Sequence, residues 1–519
     1  MRSDRRQRPR AAQPIQVNGC KYASSRARPP PSLREGALTA RRRWERIASQ
    51  SEDTMRRLFS LTALLLAGAS LFPPPAARQM AGESTTLFVG ARLIFEGDRP
   101  PIEDSALLVQ GATIARVGRR SDVQAPAGAR RVDLGGKTVM PALVNAHGHV
   151  GFQQDATFDK TNYTRENIVR QLQQYAYYGV GAVMTAGTDA GALAYQLRAR
   201  PVPGAAILRT AGRGFAMPNA GPGGVAMRDA AYGVTTEDEA RRGVREIAPQ
   251  KPDLIKIWVD DRGGTVPKLT PALYRALIDE AHRHGIRVMA HVFYLADARD
   301  LVEAGVDGFL HSVRDAEIDD ALVARMKQRN VYITPNLNIN GRDIATERPP
   351  WFDDPILGEV FSPEAIGRAR AAQAQAATAG AGRGGFPVPT PASSYAMQIR
   401  SLTKLSRAGV TIALGDDSGI QNSFPGYAAL RQLERMAESG MTPQQVLVAA
   451  TRAAAEVLRL DDMGSIAPGK SASFVVLDAN PLDSLANVRR ISSVYLRGEA
   501  IDRAALRARW TGAESAPGF

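Results

Sequence analysis

The chain reads as an α/β protein: a TIM-like (β/α)8 barrel with a small β-sandwich domain formed by both ends of the mature chain. Two observations predict this. Short apolar runs alternate with helical stretches over roughly 320 central residues, the pattern of a parallel sheet covered by helices. On either side of that stretch the pattern changes to β-branched runs separated by turns, so two remote segments of like character belong to one small domain.

Residues 1–54 are rich in Arg, Pro and Ser without apolar periodicity, and are expected to be an extension outside the fold, disordered or added by a wrong start. Met55-Arg56-Arg57, the apolar stretch Leu58 to Ala69 and the Pro- and Ala-rich Pro73 to Ala77 follow. This is the layout of a secretory signal peptide, 55–77. Its apolar part is too short to cross a bilayer comfortably, so an exported product, periplasmic or secreted, with no stable membrane span is expected. The extension holds 13 basic and 5 acidic residues, +8 of the formal +14. The basic excess is therefore mostly an end effect, and no nucleic-acid partner is expected. Cys20, the single cysteine, lies there too, which excludes a disulfide scaffold.

The small domain is assigned to 84–141 and 466–510. Its runs include Leu87-Phe88-Val89, Ala106 to Val109, Thr113 to Val117 and Arg131 to Leu134, then Ala472 to Leu477 and Ile491 to Leu496. They predict a small antiparallel sheet system. The barrel is assigned to 142–465, with apolar runs such as Val180 to Thr185, Leu254 to Val259, Ile286 to Ala290, Val331 to Thr334 and Val410 to Leu414. About eight strands are countable, which favours a closed barrel over an open sheet. Helices are expected over Thr270 to His284, Asp297 to Ala304 and Tyr395 to Ala408. An insertion, 341–394, departs from the rhythm; Pro363 to Thr378 can be helical, and the segment is either a lid over an active site or a surface loop.

Barrel strands should be almost wholly apolar, so ionisable residues at their ends need a reason. Six stand out: His147, His149, Lys256, His291, His311 and Asp417. His147 and His149 alternate on one strand and can converge on one ion. The separations of 35 residues from Lys256 to His291 and 20 from His291 to His311 each fit one strand-helix unit. All six then reach one mouth, and imidazole with carboxylate suits zinc or a similar ion. Any one histidine taken alone is more often a hydrogen-bonded core or helix-end residue, and His282 and His284 fit that description. Lys256 makes sense beside metal ions as a carbamate whose two oxygens bridge them; the alternative is a lysine paired with Asp260 or Asp261.

Two longer runs carry a resemblance. Val132 to His149, containing Pro141-Ala142-Leu143-Val144-Asn145-Ala146-His147-Gly148-His149, and Gly464 to Asp478, containing Ile466-Ala467-Pro468-Gly469-Lys470, resemble the metal-dependent amidohydrolase superfamily. The nearest likeness is to its imidazolonepropionase-like and Xaa-Pro dipeptidase-like members, over Thr86 to Arg503. The resemblance implies two divalent metal ions. His147 and His149 would hold the more buried one, carbamylated Lys256 would bridge, and His291 and His311 would hold the second. Asp417 corresponds to the aspartate of strand eight, ligand and catalytic acid-base, and Asp416 stands where relatives often carry Thr. Implied too is hydrolysis of an amide by a metal-activated hydroxide. The expected substrate is a small N-acyl amino acid or dipeptide, with Tyr163, Arg213, Arg262, Tyr294 and Asn336 available to bind it. Arg213 and Arg262 are the likelier carboxylate partners by their bidentate geometry. Rival readings are a cyclic amide or lactone hydrolase, a deaminase, which Lys256 argues against, and a non-catalytic metabolite-binding barrel. Relatives often form dimers or larger rings, so a homo-oligomer is implied, and composition does not choose among these states.

Overall fold

The computed structural model describes residues 84–95, 99–341, 350–378, 391–420 and 423–511. The expected extension and signal peptide lie outside the described residues, as does the Gly384-Gly385 end of the insertion.

The two ends of the described chain share two packed sheets. One runs in the order Thr113–Arg119, Ser105–Gln110, Thr85–Val89, Arg130–Asp133; the other in the order Arg92–Leu93, Thr138–Pro141, Phe474–Leu477, Ile491–Leu496, Glu499–Ala500. Antiparallel pairing of Thr138–Pro141 with Phe474–Leu477 joins the early and late segments directly. The expectation of wholly antiparallel sheets is corrected at two places. Thr85–Val89 and Arg130–Asp133 run parallel, as do Arg92–Leu93 and Thr138–Pro141. In the first case residues 120–129 carry the chain back over the Ser105–Arg119 hairpin, so that it re-enters beside the first strand in the same direction. Alternation sends Phe88, Leu107 and Val109 toward Val139, Phe474 and Val476 of the facing sheet. Phe474 is fully buried, with ring centroids 5.2 Å from Phe88 and 4.8 Å from Tyr495.

Between these segments the chain is a mixed α/β structure of parallel strands and covering helices. Leu143–Gly148, Val180–Thr185 and Ile207–Thr210 form one parallel set. A second set orders Tyr232–Gly233, Phe215–Ala216, Ile255–Val259, Val288–Val292, Gly308–Phe309 and Tyr332–Ile333. Backbone hydrogen bonds link the sets. Ala413 N–H donates to Ile333 O at 2.9 Å, Ala146 N–H to Leu414 O at 2.7 Å, and Asp253 N–H to Thr210 O at 2.9 Å. Strands covered on both faces read as continuous apolar runs, and Val180–Thr185 and Ile255–Val259 are buried at every position.

Helices Pro271–Arg283 and Leu295–Ala304 occupy the expected stretches, and Pro363–Thr378 is helical. Helix Pro391–Ala408 starts ahead of the expected Tyr395, because proline at the first helical position has no N–H to leave unpaired. Substituting Phe474→Ala removes the ring on which the two small sheets meet. Stability measured by urea unfolding is expected to fall by about 3–5 kcal/mol.

Candidate metal centre

The histidines and Asp417 meet where the parallel strands end. His147 and His149 sit at and just beyond the end of Leu143–Gly148, both buried. The last strand-end segment wraps around them: Asp416 and Asp417 N–H both donate to His147 O, at 3.1 and 2.8 Å, and His149 N–H donates to Ser418 O at 2.7 Å. So close a fit needs glycine, since a Cβ on Gly419 (φ +82°) would lie 1.7 Å from His149 O. Asp417 itself takes a left-handed conformation, φ 52°, a sparsely populated backbone state that surrounding structure must hold in place.

Around the Asp417 carboxylate the imidazoles converge. His149 Nε2 is 3.1 Å and His147 Nε2 3.4 Å from Oδ1, while His311 Nε2 is 3.8 Å from Oδ2. The ligand atoms of His147, His149 and Asp417 all lie within 4.8 Å of one another. The fully buried His147 Nε2 has no hydrogen-bond partner. An orphaned buried nitrogen facing a carboxylate beside a second imidazole fits a metal ion, whose bonds would satisfy all three donor atoms. His291 stacks edge-on against His311, ring centroids 4.3 Å apart. Its Nε2 lies 3.0 Å from Asp260 Oδ2.

Burial keeps the His147, His291 and His311 rings neutral. It pushes His147 and His311 well below the usual imidazole range and His291 down to about 4, despite the opposing pull of Asp260. Burial alone would raise Asp417, but His147 and His149 draw it below the ordinary carboxylate range, so it is an anion. Lys256, 1% exposed, is pushed down to about 7 by burial, with Asp417 opposing. Its alternative partners are engaged elsewhere: Asp260 with His291 and Arg314, and Asp261 as acceptor from the Tyr294 hydroxyl at 2.6 Å.

Four further residues hold the ligands in place: Thr188 and Arg314, which sequence reasoning passed over, and Asp260 and Asp416, which it named in other roles. Thr188 Oγ1 lies 3.0 Å from His149 Nδ1. Asp260 and Arg314 fix His291, the arginine Nη2 lying 3.0 Å from its Nε2. Asp416, pushed up to about 7 by burial, accepts through Oδ1 from Asn145 Nδ2 at 2.8 Å and Ser418 N–H at 2.9 Å, tying the first strand to the last. The available signal was position alone: Thr188 and Asp260 stand just past the ends of Val180–Thr185 and Ile255–Val259.

The expected substrate contacts fall differently. Asn336 lies within the cluster: its amide nitrogen is 2.5 Å from His147 Nδ1 and 3.2 Å from His311 Nδ1, and donates to Leu310 O at 2.9 Å. Tyr163 donates to buried Asp189 at 2.9 Å, and Asp189 also accepts from Thr210 Oγ1 at 2.6 Å. Arg213 donates to the carbonyls of Ala230 and Ala231 at 2.8 and 3.1 Å and stacks 3.9 Å over Tyr232. Arg262 donates to Gly221 O, and Tyr294 to Asp261. In this structure both arginines brace loop backbone.

A parallel α/β scaffold with a histidine-carboxylate cluster at its strand ends offers the donor set that a metal-dependent hydrolase requires. Residues 138–501 match the amidohydrolase family, and the chain belongs to it. It is 24% identical to imidazolonepropionase of Streptomyces avermitilis over 424 residues, 77% of this chain and 87% of that one. It is 25% identical to ochratoxinase of Aspergillus niger over 453 residues, 78% of this chain and 83% of that one. Among solved structures it resembles a Xaa-Pro dipeptidase with bound methionine in the active site, with TM-score 0.62 and 21% identity over 80% of this chain and 99% of that one.

Thr188→Val is expected to lower metal affinity about 10- to 100-fold with the fold intact, read by competition with a chromophoric chelator. The metal-free protein should lose stability as pH falls below about 6.5. The unfolded chain then binds protons that native His147, His291 and His311, all with lowered pKa values, refuse. Asp417, also lowered, adds to the loss only at lower pH, once the unfolded carboxylate protonates. Thermal melts across pH 4 to 8 check this, and a flat profile would contradict it.

Proposed function

We propose that the chain is a metal-dependent amidohydrolase that cleaves the amide bond of a small N-acyl amino acid or dipeptide. In this reading the parallel strands close into a (β/α)8 barrel, and the hydrogen bonds at Ile333, Leu414 and Thr210 support that closure. Two divalent ions, zinc by donor chemistry, are held by His147, His149, His291, His311, Asp417 and carbamylated Lys256. The observation that carries the reading is the convergence of three imidazole Nε2 atoms on the Asp417 carboxylate, at 3.1, 3.4 and 3.8 Å.

When bound, the ions acidify a water and polarise the scissile carbonyl. Asp417 accepts a proton from that water as its oxygen bonds to the carbonyl carbon, and returns it to the nitrogen as the C–N bond breaks. Its ionised state and fixed backbone suit it to start as the base. Lys256 forms its carbamate when the neutral amine attacks carbon dioxide, making an N–C bond and releasing one proton. Burial, which favours the neutral amine, supports that step. Membership of the amidohydrolase family supports the bond type, and the dipeptidase of the same fold supports the substrate class. Export to the periplasm or beyond remains part of this reading, on the pattern of residues 55–77.

Zinc-loaded protein assayed against N-acyl amino acids, dipeptides and aromatic amides is expected to release free amine from at least one class. Asp417→Asn should then lower kcat by about 10²- to 10⁴-fold. Failure of the loaded protein on every class would remove the proposal. Native mass analysis should find Lys256 heavier by one carbon dioxide, and Lys256→Ala should lower the bound metal from two ions toward one.

A further inference from the structure

Three arginines stack on rings here, Arg431 on Trp351, Arg489 on Tyr427 and Arg435 on Tyr395, and two of them have acids to answer them. Arg489 donates through Nη2 to Glu434 at 3.0 Å and brings Nε within 2.9 Å of Asp354 Oδ2. Arg435 pairs with Glu438 at 2.7 Å. Arg431, on the same helix Tyr427–Ala437, is only 6% exposed and forms no ion pair or hydrogen bond among the described residues, although Glu434 acts on it from a distance. Its guanidinium lies 4.1 Å over the Trp351 ring, a contact that supplies no acceptor for its five N–H groups. A buried cation with no anion paired to it is costly to keep, and burial presses this one down to about 9 against the pull of Glu434.

Two neighbours repeat the deficit with the same sign. Trp351 Nε1 and Gln432 Nε2 are buried donors without acceptors among the described residues. Gln432 Oε1 accepts from Asn338 N–H at 2.8 Å, which anchors the carbonyl end of that amide and leaves the nitrogen end unmet. Aromatic rings line the surroundings: Phe424 and Tyr427 lie 6.3 and 6.2 Å from Trp351 by centroid. A cation and two donors call for a ligand that is anionic and only accepts, and the rings suit a flat apolar body behind it. We propose that Arg431, Trp351 and Gln432 form a binding site for a small carboxylate. It shares no residue with the metal centre, and it stands whether or not the hydrolase reading does.

The test titrates the metal-loaded full chain with benzoate and with benzamide, its uncharged analogue, by calorimetry and tryptophan fluorescence. Benzoate is expected to bind at least about tenfold more tightly than benzamide, as a hydrogen-bonded charge requires. Arg431→Gln should erase that difference. Trp351→Phe keeps the ring under the guanidinium but deletes the N–H, and should weaken benzoate alone by about threefold or more. Equal benzoate affinity in Arg431→Gln would place the ligand elsewhere, the metals included, and overturn the proposal. So would no benzoate binding, equal binding of benzoate and benzamide, or binding of inorganic phosphate only. If Arg431→Gln does not fold, the wild-type comparison and Trp351→Phe still decide.

Discussion

Asp417 is an ionised carboxylate sealed among strand ends, and of the imidazoles around it burial keeps His147 and His311 neutral. An anion in that setting is poorly compensated by dipoles alone, and a left-handed backbone adds to the cost of holding it there. Much of the local structure can be traced to this one group. Gly419 lets its segment close on His149, the His147 carbonyl takes its N–H, and Asn145 and Asp416 lock the first strand to the last beside it. A cation drawn to these donors would relieve the same electrostatic debt, so metal affinity and native packing become one problem.

A second layer decides how each ring faces. Imidazole has two nitrogens, and the partner of one selects the role of the other. Thr188 occupies Nδ1 of His149 and leaves its Nε2 to Asp417, whereas Asp260 and Arg314 both stand at Nε2 of His291. Asn336 touches Nδ1 of both His147 and His311 and brings residues from the ends of Leu143–Gly148 and Gly308–Phe309 under one amide. The paired small sheets sit outside this chemistry, yet they fasten the entry to the first parallel strand through Thr138–Pro141 and Phe474–Leu477.

Polar residues at the ends of apolar runs were legible because a doubly covered parallel strand has no bland use for them. His147, His149, Lys256, His291, His311 and Asp417 could be named for that reason, and four of them, His147, His149, His311 and Asp417, meet around one carboxylate. Loop arginines carry no such contrast. Nothing in the runs around Arg213 or Arg262 tells whether a guanidinium reaches a ligand or braces carbonyls, and both brace carbonyls. Thr188 and Asp260 are short polar residues of a kind common after any strand. The parallel pairs in the small sheets were likewise hidden, since strand direction depends on where a loop re-enters rather than on the strand's own residues.

The sequence by itself determined the alternation of strand and helix, the family and the set of donor atoms on offer, because periodicity and residue chemistry are local properties. Only the tertiary structure decided which nitrogen His147, His149 and His311 turn toward Asp417, which rings stay neutral and which arginines are left unpaired. Those outcomes depend on neighbours brought from far along the chain, as Asn336 is to His147 across 189 residues. Proton placement and desolvation follow from such distant contacts, which no window of sequence contains.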